Sequence, residues 1–405
     1  MVLSTVLGIL LKRIIPLIVL LLAIFVGWLN TFEMAMPVFF TVLYTTSKGY
    51  MPPLLVGRGF DPCPVPEIPV EEYSVAPTHT TEGDGDAGAI ISLSQTFLTL
   101  QGTNDLLPQI GIGMCCRYTA YDYESVKRTT LWYLLLGGRH IDTAQMYMNH
   151  EPIGDAIKEA TSGKYGISRS DIFVTTKVYP GFYGYNSTLD IIPRFLEELQ
   201  LGYIDLVLLH MPSPTIGGMK IANSDCYSKE NKSHSECRIE SWKALITSKE
   251  NGNVRNIGVS NFQIHQLDEF KSAGLFSHVA VNQIPYNPWI IQQWREVYDY
   301  CQENNVVVIA YGSFMGTALQ TETAFSQQTI QAISNTYNRT SSQILLRWSI
   351  QKGNAVIPGT GNPKHMKENL DVFQFTLSDV DMKRIDDLQH DTSVPPYEGM
   401  PPDAT

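Results

Sequence analysis

The chain has 405 residues, of which 44% are hydrophobic and 17% are charged, and its formal net charge is -11 at pH 7. A chain of this length can bury one large core or two smaller ones. Because phosphate binding requires a basic face, the acidic balance argues against a nucleic-acid-binding surface.

An apolar stretch near the N-terminus predicts a membrane anchor. No charged residue occurs from Ile14 to Phe32, and most of the stretch is Ile, Leu, Val, Ala and Phe. This is about the length of a helix that crosses the hydrocarbon core of a bilayer. Lys12 and Arg13 precede it, and since positive flanks prefer the cytoplasm, the rest of the chain would face the lumen or the exterior.

Two other interpretations of this stretch stay open. A cleaved signal peptide is one, although the run is long for the apolar core of such a peptide and no clean A-x-A site follows. A buried core helix is the other, although such a helix usually has a polar face. A second apolar stretch, Met34–Thr46, would extend the anchor or lie at the membrane interface. We therefore expect an anchor region over 1–46, with a transmembrane helix at about 14–32.

Residues 47–88 have the composition of a linker. The segment from Pro52 to Pro69 is rich in proline, and Thr78–Gly88 is rich in Thr, Gly and Asp. Proline-rich segments act as semi-rigid spacers. Regular patterning begins near Ala89, so a folded domain is predicted over 89–390, with a C-terminal tail over 391–405.

Within this domain, short apolar runs alternate with amphipathic stretches, which predicts parallel βαβ units. The eight candidate strands are continuously apolar, as burial on both faces requires. They are Gln109–Met114, Arg139–Ala144, Ile172–Val178, Ile204–His210, Asn256–Ser260, Val279–Gln283, Val306–Tyr311 and Ala355–Ile357. The helix-like segments include Tyr123–Leu136, Leu189–Leu199, Ser241–Lys249, Ile290–Asn304 and Ser341–Gln351. The pattern predicts an α/β fold, a (β/α)8 TIM barrel, which typically needs about 250 residues.

A doubly wound sheet is the competing architecture. Its phosphate-binding signature is G-x-G-x-x-G after an early strand. The nearest match, Gly111-Ile-Gly113, continues as Met-Cys-Cys and has no third glycine. The barrel is therefore the better prediction.

Polar side chains occupy the predicted C-terminal ends of the strands, where a barrel places its chemistry. Any one of them alone would fit a structural role equally well. A set of them at equivalent strand ends indicates one convergent site. The set is Asp142, Tyr147 in the loop after it, Lys177, His210, Ser260, Asn261, Gln283 and Tyr311.

The motifs around these residues resemble the aldo-keto reductase family. The segment from Gly138 to Gly154, which begins G-R-H-I-D-T-A-Q-M-Y, is similar to the first signature of that family. The lysine strand of the family is similar to V-T-T-K, its histidine strand to D-L-V-L-L-H, and its two amide-binding strands to N-I-G-V-S-N-F and V-N-Q. The closing cofactor motif of the family is similar to I-P-G-T-G-N-P-K-H-M-K-E-N-L. The resemblance covers about Phe97 to Leu388, with the motifs in the order of the family.

The resemblance implies an oxidoreductase that reduces an aldehyde or ketone to an alcohol by hydride transfer. Tyr147 would donate the proton. A free tyrosine has a pKa near ~10 and is a reluctant acid at neutral pH, and a nearby Lys177 cation favours the phenolate and lowers that pKa. Asp142 would hold Lys177 by an ion pair, and His210 would orient the carbonyl oxygen as a preorganised donor.

The resemblance also implies a nicotinamide cofactor, NADPH or NADH, as the source of hydride. The sequence offers no metal-ligand cluster in its place, because its nine histidines are scattered and it has no Cys-x-x-Cys motif. Ser260, Asn261 and Gln283 would bind the carboxamide, and Tyr311 would stack on the ring. The other expected cofactor contacts are Gly113, Met114 and Asp142, with Thr360, Glu368 and Asn369 at the adenosine end.

The closing motif departs from the family where the 2′-phosphate of NADPH would bind. Many members carry a Lys after the Pro and an Arg a few residues later, where this chain has Gly359 and His365. An extra phosphate needs cationic partners. Lys364 is a neighbouring cation that could substitute, so both cofactors stay open, and we expect little or no advantage of NADPH over NADH.

The pocket also departs from the family, which often has Trp in the first loop and after the catalytic His. Cys115 and Met211 take these places. Met is flexible and apolar, so a wider or differently shaped substrate pocket is expected. Its predicted lining is Cys115, Tyr147, Tyr179, His210 and Met211.

The loop from Met211 to Ile239 is a third departure. Cys226 and Cys237 bracket a polar run with the sequon Asn231-Lys-Ser, and such a pair is a disulfide candidate in an oxidising compartment. Further sequons begin at Asn186 and Asn338. Together with the flanks of the anchor, these features favour a single-pass membrane protein with a lumenal domain. The larger supply of reduced nicotinamide in the cytosol favours the opposite side.

The expected partners are a small-molecule carbonyl substrate and the membrane, with the barrel itself monomeric. One alternative function is a cofactor-binding regulatory or redox-sensing subunit of a membrane protein, as in the potassium-channel β-subunit relatives of the family. An inert lumenal scaffold is another. The presence of all four residues Asp142, Tyr147, Lys177 and His210 favours the active reductase.

Overall fold

The computed structural model describes residues 96–116, 122–216, 219–220, 222, 224–316 and 318–399. The predicted transmembrane helix at 14–32, the second apolar stretch and the linker over 47–88 lie outside these residues. Among the helices that the structure describes, none is both long and apolar enough to cross a membrane.

Eight parallel strands form a closed barrel, as predicted. Their order in the sheet is their order in the chain. A bridge between Ile110 and Val356 joins the two ends of the sheet, where the amide of Val356 donates to the carbonyl of Gln109 over 2.8 Å. This closure brings the C-terminal ends of all eight strands to one face of the molecule.

The barrel strands are β3 (Ile112–Gly113), β4 (His140–Asp142), β5 (Phe173–Val178), β6 (Ile204–Leu209), β9 (Val254–Ser260), β10 (Val281–Pro285), β11 (Val307–Tyr311) and β12 (Ala355–Val356). Two small antiparallel hairpins accompany them: β1 (Phe97–Thr99) with β2 (Leu106–Pro108), and β7 (Thr215–Ile216) with β8 (Met219–Lys220).

The helices are α1 (Tyr123–Leu135), α2 (His150–Ala160), α3 (Tyr185–Leu199), α4 (Asp225–Ser228), α5 (His234–Glu250), α6 (Ile264–Ser272), α7 (Gln292–Glu303), α8 (Ala318–Ser326), α9 (Gln328–Tyr337), α10 (Ser341–Gln351), α11 (Pro363–Leu370) and α12 (Asp379–Asp386). Most of them bury an apolar stripe against the outside of the strands, which explains why both faces of each strand are apolar.

The β1–β2 hairpin was not predicted from the sequence. Leu100, at the end of β1, and Leu107, in β2, are fully buried and pack against Leu206 and Leu208 of β6 inside the barrel. The hairpin therefore closes the N-terminal end of the barrel. Its three-residue strands are too short to show the alternation by which a strand is recognised.

Two helices begin earlier than predicted. Helix α5 begins at His234 rather than Ser241, because Ser233 and Glu236 form a reciprocal capping box at its start. Helix α3 begins at Tyr185 rather than Leu189. The segment before Ser241 is polar, so its composition predicts a loop where the structure has the first turns of α5.

The barrel interior changes from apolar to polar along the strands. In β6, Leu206 and Leu208 belong to the apolar layer, and the next residue on that face is His210. In β5, Thr175 is followed on the same face by Lys177. The polar residues therefore lie at the C-terminal ends of the strands, and the packed apolar layer fills the barrel interior nearer to the N-terminal ends.

Candidate active site

Lys177 joins Asp142 and Tyr147 at the end of β4 and β5. Its Nζ donates to Oδ1 of Asp142 over 2.6 Å and to the carbonyl of Thr143 over 2.9 Å, and it lies 3.3 Å from the hydroxyl of Tyr147. The Lys177 side chain is 0% exposed and that of Asp142 is 2% exposed. The tyrosine is half-buried, so its hydroxyl lies between a buried cation and the open face.

Burial acts against both charges of this pair, and each partner opposes the effect on the other. Burial lowers the pKa of Lys177, and the Asp142 carboxylate counters that shift. Burial raises the pKa of Asp142, and Lys177 together with a hydrogen bond from Gln283 counters it. At 2.6 Å the ion pair is the arrangement we assign, because separating two buried charges would cost several kcal/mol.

His210 follows β6 and lies beside Tyr147. Its ring packs edge-on against that of Tyr147, with centroids 5.5 Å apart. Burial, and then the charge of Lys177, lowers the pKa of His210 well below its ordinary value. The imidazole is therefore neutral at physiological pH and retains one N–H that can donate to a bound oxygen.

The position of Tyr147 depends on Asn149. Tyr147 ends a short 3-10 turn, Gln145–Tyr147, after which Met148 adopts a left-handed conformation with φ 53°. The side chain of Asn149 then donates to the carbonyl of Met114 over 2.9 Å and accepts from Thr143 over 2.5 Å. These two bonds tie the Tyr147 loop to the ends of β3 and β4. Asn149 lies within the first signature, but the sequence assigned it no role.

The predicted carboxamide-binding residues form one hydrogen-bonded group. The Oγ of Ser260 donates to the carbonyl of Gln283 over 3.0 Å, and Nδ2 of Asn261 donates to the carbonyl of His210 over 3.0 Å. The Tyr311 hydroxyl donates to Oδ1 of Asn261 over 2.7 Å. Asn261 has φ 64°, a left-handed conformation that asparagine tolerates better than most residues.

Gln283 connects this group to the ion pair, since its Nε2 donates to Oδ2 of Asp142 over 2.6 Å. Two residues after Tyr311, Ser313 is 5% exposed, and its buried hydroxyl has no hydrogen-bond partner within the described chain. A buried hydroxyl without a partner is costly unless a ligand completes it. Amide groups, an aromatic ring and this orphaned hydroxyl, side by side on one face, fit a nicotinamide cofactor.

Gly113 and Met114 lie where β3 meets the closing segment. A Cβ on Gly113 would lie 2.6 Å from the carbonyl oxygen of Ile357, so only glycine allows this approach. The side chain of Met114 is fully buried and its carbonyl accepts from Asn149. The structure therefore gives Gly113 and Met114 close packing, with Met114 directed into the core.

The residues predicted for the adenosine end follow β12. Thr360 accepts from the amide of Asn362, which caps α11, and Glu368 and Asn369 lie in α11. Asn369 is 6% exposed and Glu368 is partly exposed. Lys364 is exposed in the first turn of the same helix, with its Nζ 3.9 Å from Oε1 of Glu368. Gly359 and His365 are exposed too.

The predicted pocket residues Cys115, Tyr179 and Met211 follow β3, β5 and His210. Cys115 is partly exposed and is followed directly in the chain by the exposed Cys116. Tyr179 is partly exposed, and its amide donates to Gln145 over 3.3 Å. Met211 is 2% exposed. Cys115 and Tyr179 thus have accessible surface, while the Met211 side chain is packed inward.

The Cys226–Cys237 pair forms a disulfide, with the two Cα atoms 5.9 Å apart. It joins α4 to α5. Arg238 follows Cys237 directly in the chain. Its Nη1 donates to the carbonyl of Pro212 over 2.8 Å, and its Nε and Nη2 donate to the carboxylate of Glu269. The inserted segment therefore supports the chain directly after His210. A basic residue in a polar run gave no sequence signal of this role.

Comparison with known proteins places these features in a family. Residues 109–390 match the model of the aldo/keto reductase family. The chain is 32% identical over 289 residues to the 9,11-endoperoxide prostaglandin H2 reductase of Trypanosoma cruzi, an alignment that covers 71% of this chain and 90% of the relative. It is 34% identical over 261 residues to the glyoxal reductase of Bacillus subtilis, covering 64% of this chain and 82% of the relative.

Solved structures agree with the sequence relatives. The crystal structure of an aldo/keto reductase from Brucella melitensis superimposes with a TM-score of 0.60 at 31% identity, covering 73% of this chain and 100% of that one. MGS-M4, an aldo-keto reductase from a deep-sea metagenome library, superimposes with a TM-score of 0.61 at 32% identity, covering 72% and 94%. The chain therefore belongs to the aldo/keto reductase family and is an oxidoreductase.

Proposed function

We propose that this oxidoreductase uses NADPH or NADH to reduce an aldehyde or ketone to an alcohol, with Tyr147 as the proton donor. One observation carries the proposal. The Nζ of Lys177 contacts both the Asp142 carboxylate and the Tyr147 hydroxyl, at 2.6 and 3.3 Å. A buried cation beside a phenol stabilises the phenolate that remains once the proton has left.

Each site residue contributes one step or one contact to the proposed carbonyl reduction. A reduced nicotinamide held by Ser260, Asn261 and Gln283 would supply the hydride that the carbonyl carbon accepts. The carbonyl oxygen then gains negative charge and takes the proton from Oη of Tyr147, while Lys177 stabilises the phenolate. The neutral His210 donates a hydrogen bond to the same oxygen, which is most favourable when the charge is greatest. Asp142 keeps Lys177 charged and in place.

The cofactor is proposed to lie over the ends of β9, β10 and β11. Ser260, Asn261 and Gln283 would hold the carboxamide, and Tyr311 would cover one face of the ring. The adenosine end would extend toward Thr360 and α11. The orphaned hydroxyl of Ser313 supports this placement, because a bound polar group would complete its hydrogen bonding.

We further propose that the barrel is anchored to a membrane by residues 14–32 and faces an oxidising lumen. The Cys226–Cys237 disulfide supports this orientation. The three sequon asparagines, Asn186, Asn231 and Asn338, are all exposed and accessible to a glycosyltransferase. The cytosolic side is the alternative outcome of the topology test.

Cofactor titration tests the proposal most simply. Binding of NADPH or NADH would quench tryptophan fluorescence or enhance that of the nicotinamide, and turnover would follow with a carbonyl panel. Glyoxal belongs in that panel because one relative above is named for it. An endoperoxide, which is a peroxide and not a carbonyl, is assayed separately because the other relative is named for it. Binding without turnover of any carbonyl would support the regulatory-subunit alternative, and absence of binding would contradict both functions.

A further inference from the structure

The end of the described chain crosses the C-terminal face of the barrel. We call residues 394–399 the tail strap. The amide of Tyr397 donates to the carbonyl of Trp289 over 2.8 Å, and the amide of Ile291 donates to that of Tyr397 over 3.2 Å. The indole of Trp294 donates to the carbonyl of Glu398 over 2.7 Å. The strap is therefore held by main-chain bonds to the segment after β10.

The ring of Tyr397 lies directly on the segment after β11. A Cβ on Gly312 would lie 2.4 Å from Cε1 of Tyr397, and a Cβ on Gly316 would lie 3.0 Å from its Cε2. Gly312 has φ 62°, so this position requires glycine for its conformation as well as for space. The two glycines together form a seat for the aromatic ring.

The strap also reaches Tyr311 itself. A Cβ on Gly399 would lie 3.4 Å from the hydroxyl of Tyr311 and 2.5 Å from Cγ of Pro285. The same hydroxyl donates to Asn261 over 2.7 Å. The strap thus contacts the residue proposed to cover the nicotinamide ring, on the side where it meets the carboxamide-binding group.

The strap is fixed at its beginning too. Val394 is 2% exposed, and the carboxylate of Asp391 accepts from the side chain of Gln327 over 2.9 Å. A segment anchored at both ends and seated on two glycines has little freedom of its own. Moving it would remove its contacts with Gly312, Gly316 and Tyr311 together.

We propose that the tail strap positions Tyr311 and the segment 312–316 for the cofactor, and that Tyr397 is a positioning residue for cofactor binding. The proposal rests on the proposed reductase function, because Tyr311 needs this support only if it holds a nicotinamide. Loss of the ring should speed cofactor release more than it slows the chemical step, since Tyr397 has no contact with the proton donor in the described structure.

Replacement of Tyr397 provides the first test. Tyr397→Ala is expected to raise the dissociation constant of NADPH and its release rate by about tenfold, which corresponds to roughly 1.4 kcal/mol. Turnover at saturating cofactor should change less than the KM for cofactor. Tyr397→Phe should restore most of both values, because it keeps the ring atoms that lie nearest to Gly312 and Gly316. Glu398→Gln is the matched control, since that side chain is exposed and only its carbonyl is bonded.

A double-mutant cycle isolates the contact. Gly316 is not in a left-handed conformation, so Gly316→Ala adds a methyl group without backbone strain, and the nearest atom to that methyl group is Cε2 of Tyr397 at 3.0 Å. This variant should weaken cofactor binding in the wild-type background and have little further effect in Tyr397→Ala. If Tyr397→Ala proves too unstable to purify, cofactor binding by the single variant Gly316→Ala still tests the contact.

The outcomes separate this inference from the function on which it rests. A wild-type protein that binds neither NADPH nor NADH would overturn the proposed function. A wild-type protein that binds cofactor, with release unchanged in Tyr397→Ala and in Gly316→Ala, would overturn the role of the strap alone. Additive effects of the two substitutions would also contradict the contact.

Discussion

The ammonium of Lys177 and the carboxylate of Asp142 lie 2.6 Å apart, and both side chains are almost completely removed from solvent. A buried ion pair is weak evidence for stability, because desolvation offsets much of the attraction. Its value here is geometric, since it fixes a cation next to the Tyr147 hydroxyl.

Breaking this pair should be costly. Lys177→Met leaves Asp142 buried without its cation, and the free energy of unfolding should fall by roughly 3–5 kcal/mol. The double variant Lys177→Met/Asp142→Asn should recover part of this loss, because neither charge then remains. Urea unfolding of the wild type, both single variants and the double variant measures the coupling. A loss in the double variant equal to the sum of the two single losses would show that the two charges do not interact.

His140 makes the barrel sensitive to acid. Burial lowers the pKa of His140 to about 3. Its Nε2 lies 3.1 Å from the hydroxyl of Thr175, a hydrogen-bonding distance. In an unfolded chain the pKa of histidine is near ~6.5. The unfolded state therefore binds the extra proton, and the stability from a neutral His140 is complete above about pH 6.5 and is lost as pH falls toward about 3.

His140→Gln should reduce this acid sensitivity. The slope of the unfolding free energy against pH measures how many more protons the unfolded state binds than the folded state. In this variant that number should fall by up to about one proton between about pH 6.5 and 4. His265→Gln, at an exposed position of α6, serves as the control and should leave the slope unchanged. The same slope in His140→Gln as in wild type would contradict the lowered pKa, because it would mean that His140 binds protons equally in the folded and unfolded states.

Cofactor preference should be small. Gly359 and His365 are exposed and leave Lys364 as the nearby cation, which is already 3.9 Å from Glu368. We expect similar dissociation constants for NADPH and NADH, and a shift toward NADPH in Gly359→Lys, because a 2′-phosphate gains a cationic partner. A wild-type preference of about a hundredfold for NADPH would contradict this expectation.

Removal of Met1–Phe32 should release a folded, active barrel, because every assigned site residue lies beyond Gln101. The full-length protein should resist carbonate extraction, since a spanning helix is effectively irreversible once inserted. In sealed vesicles the barrel should be protected from added protease, and at least one of Asn186, Asn231 and Asn338 should carry a glycan. Digestion from the cytosolic side without a glycan shift would contradict the lumenal orientation and leave the anchored reductase in the cytosol.

The sequence predicted the barrel well where local pattern determines structure. Buried parallel strands are continuous apolar runs, so their order and the polar residues at their ends could be located directly, including Asp142, Lys177 and His210. The β1–β2 hairpin, the Asn149 bonds and the seating of Tyr397 on Gly312 could not. The strands of the hairpin have only three residues each. The Asn149 bond to Met114 and the contact of Tyr397 with Gly312 join residues that are distant in the chain and meet only after the barrel has closed.

Tyr147 is the proposed proton donor. Tyr147→Phe keeps the ring beside Lys177 and His210 and removes only the hydroxyl. General acid catalysis is typically worth ~10²–10⁴-fold, so turnover should fall by that amount while the dissociation constant of the cofactor stays unchanged.

The decisive measurement is single-turnover oxidation of bound NADPH by a reactive carbonyl, in wild type and Tyr147→Phe, with cofactor binding measured on the same preparations. The proposed mechanism predicts loss of hydride transfer by at least about a hundredfold at full cofactor occupancy. A near-normal rate in Tyr147→Phe would contradict it and assign the proton to another donor.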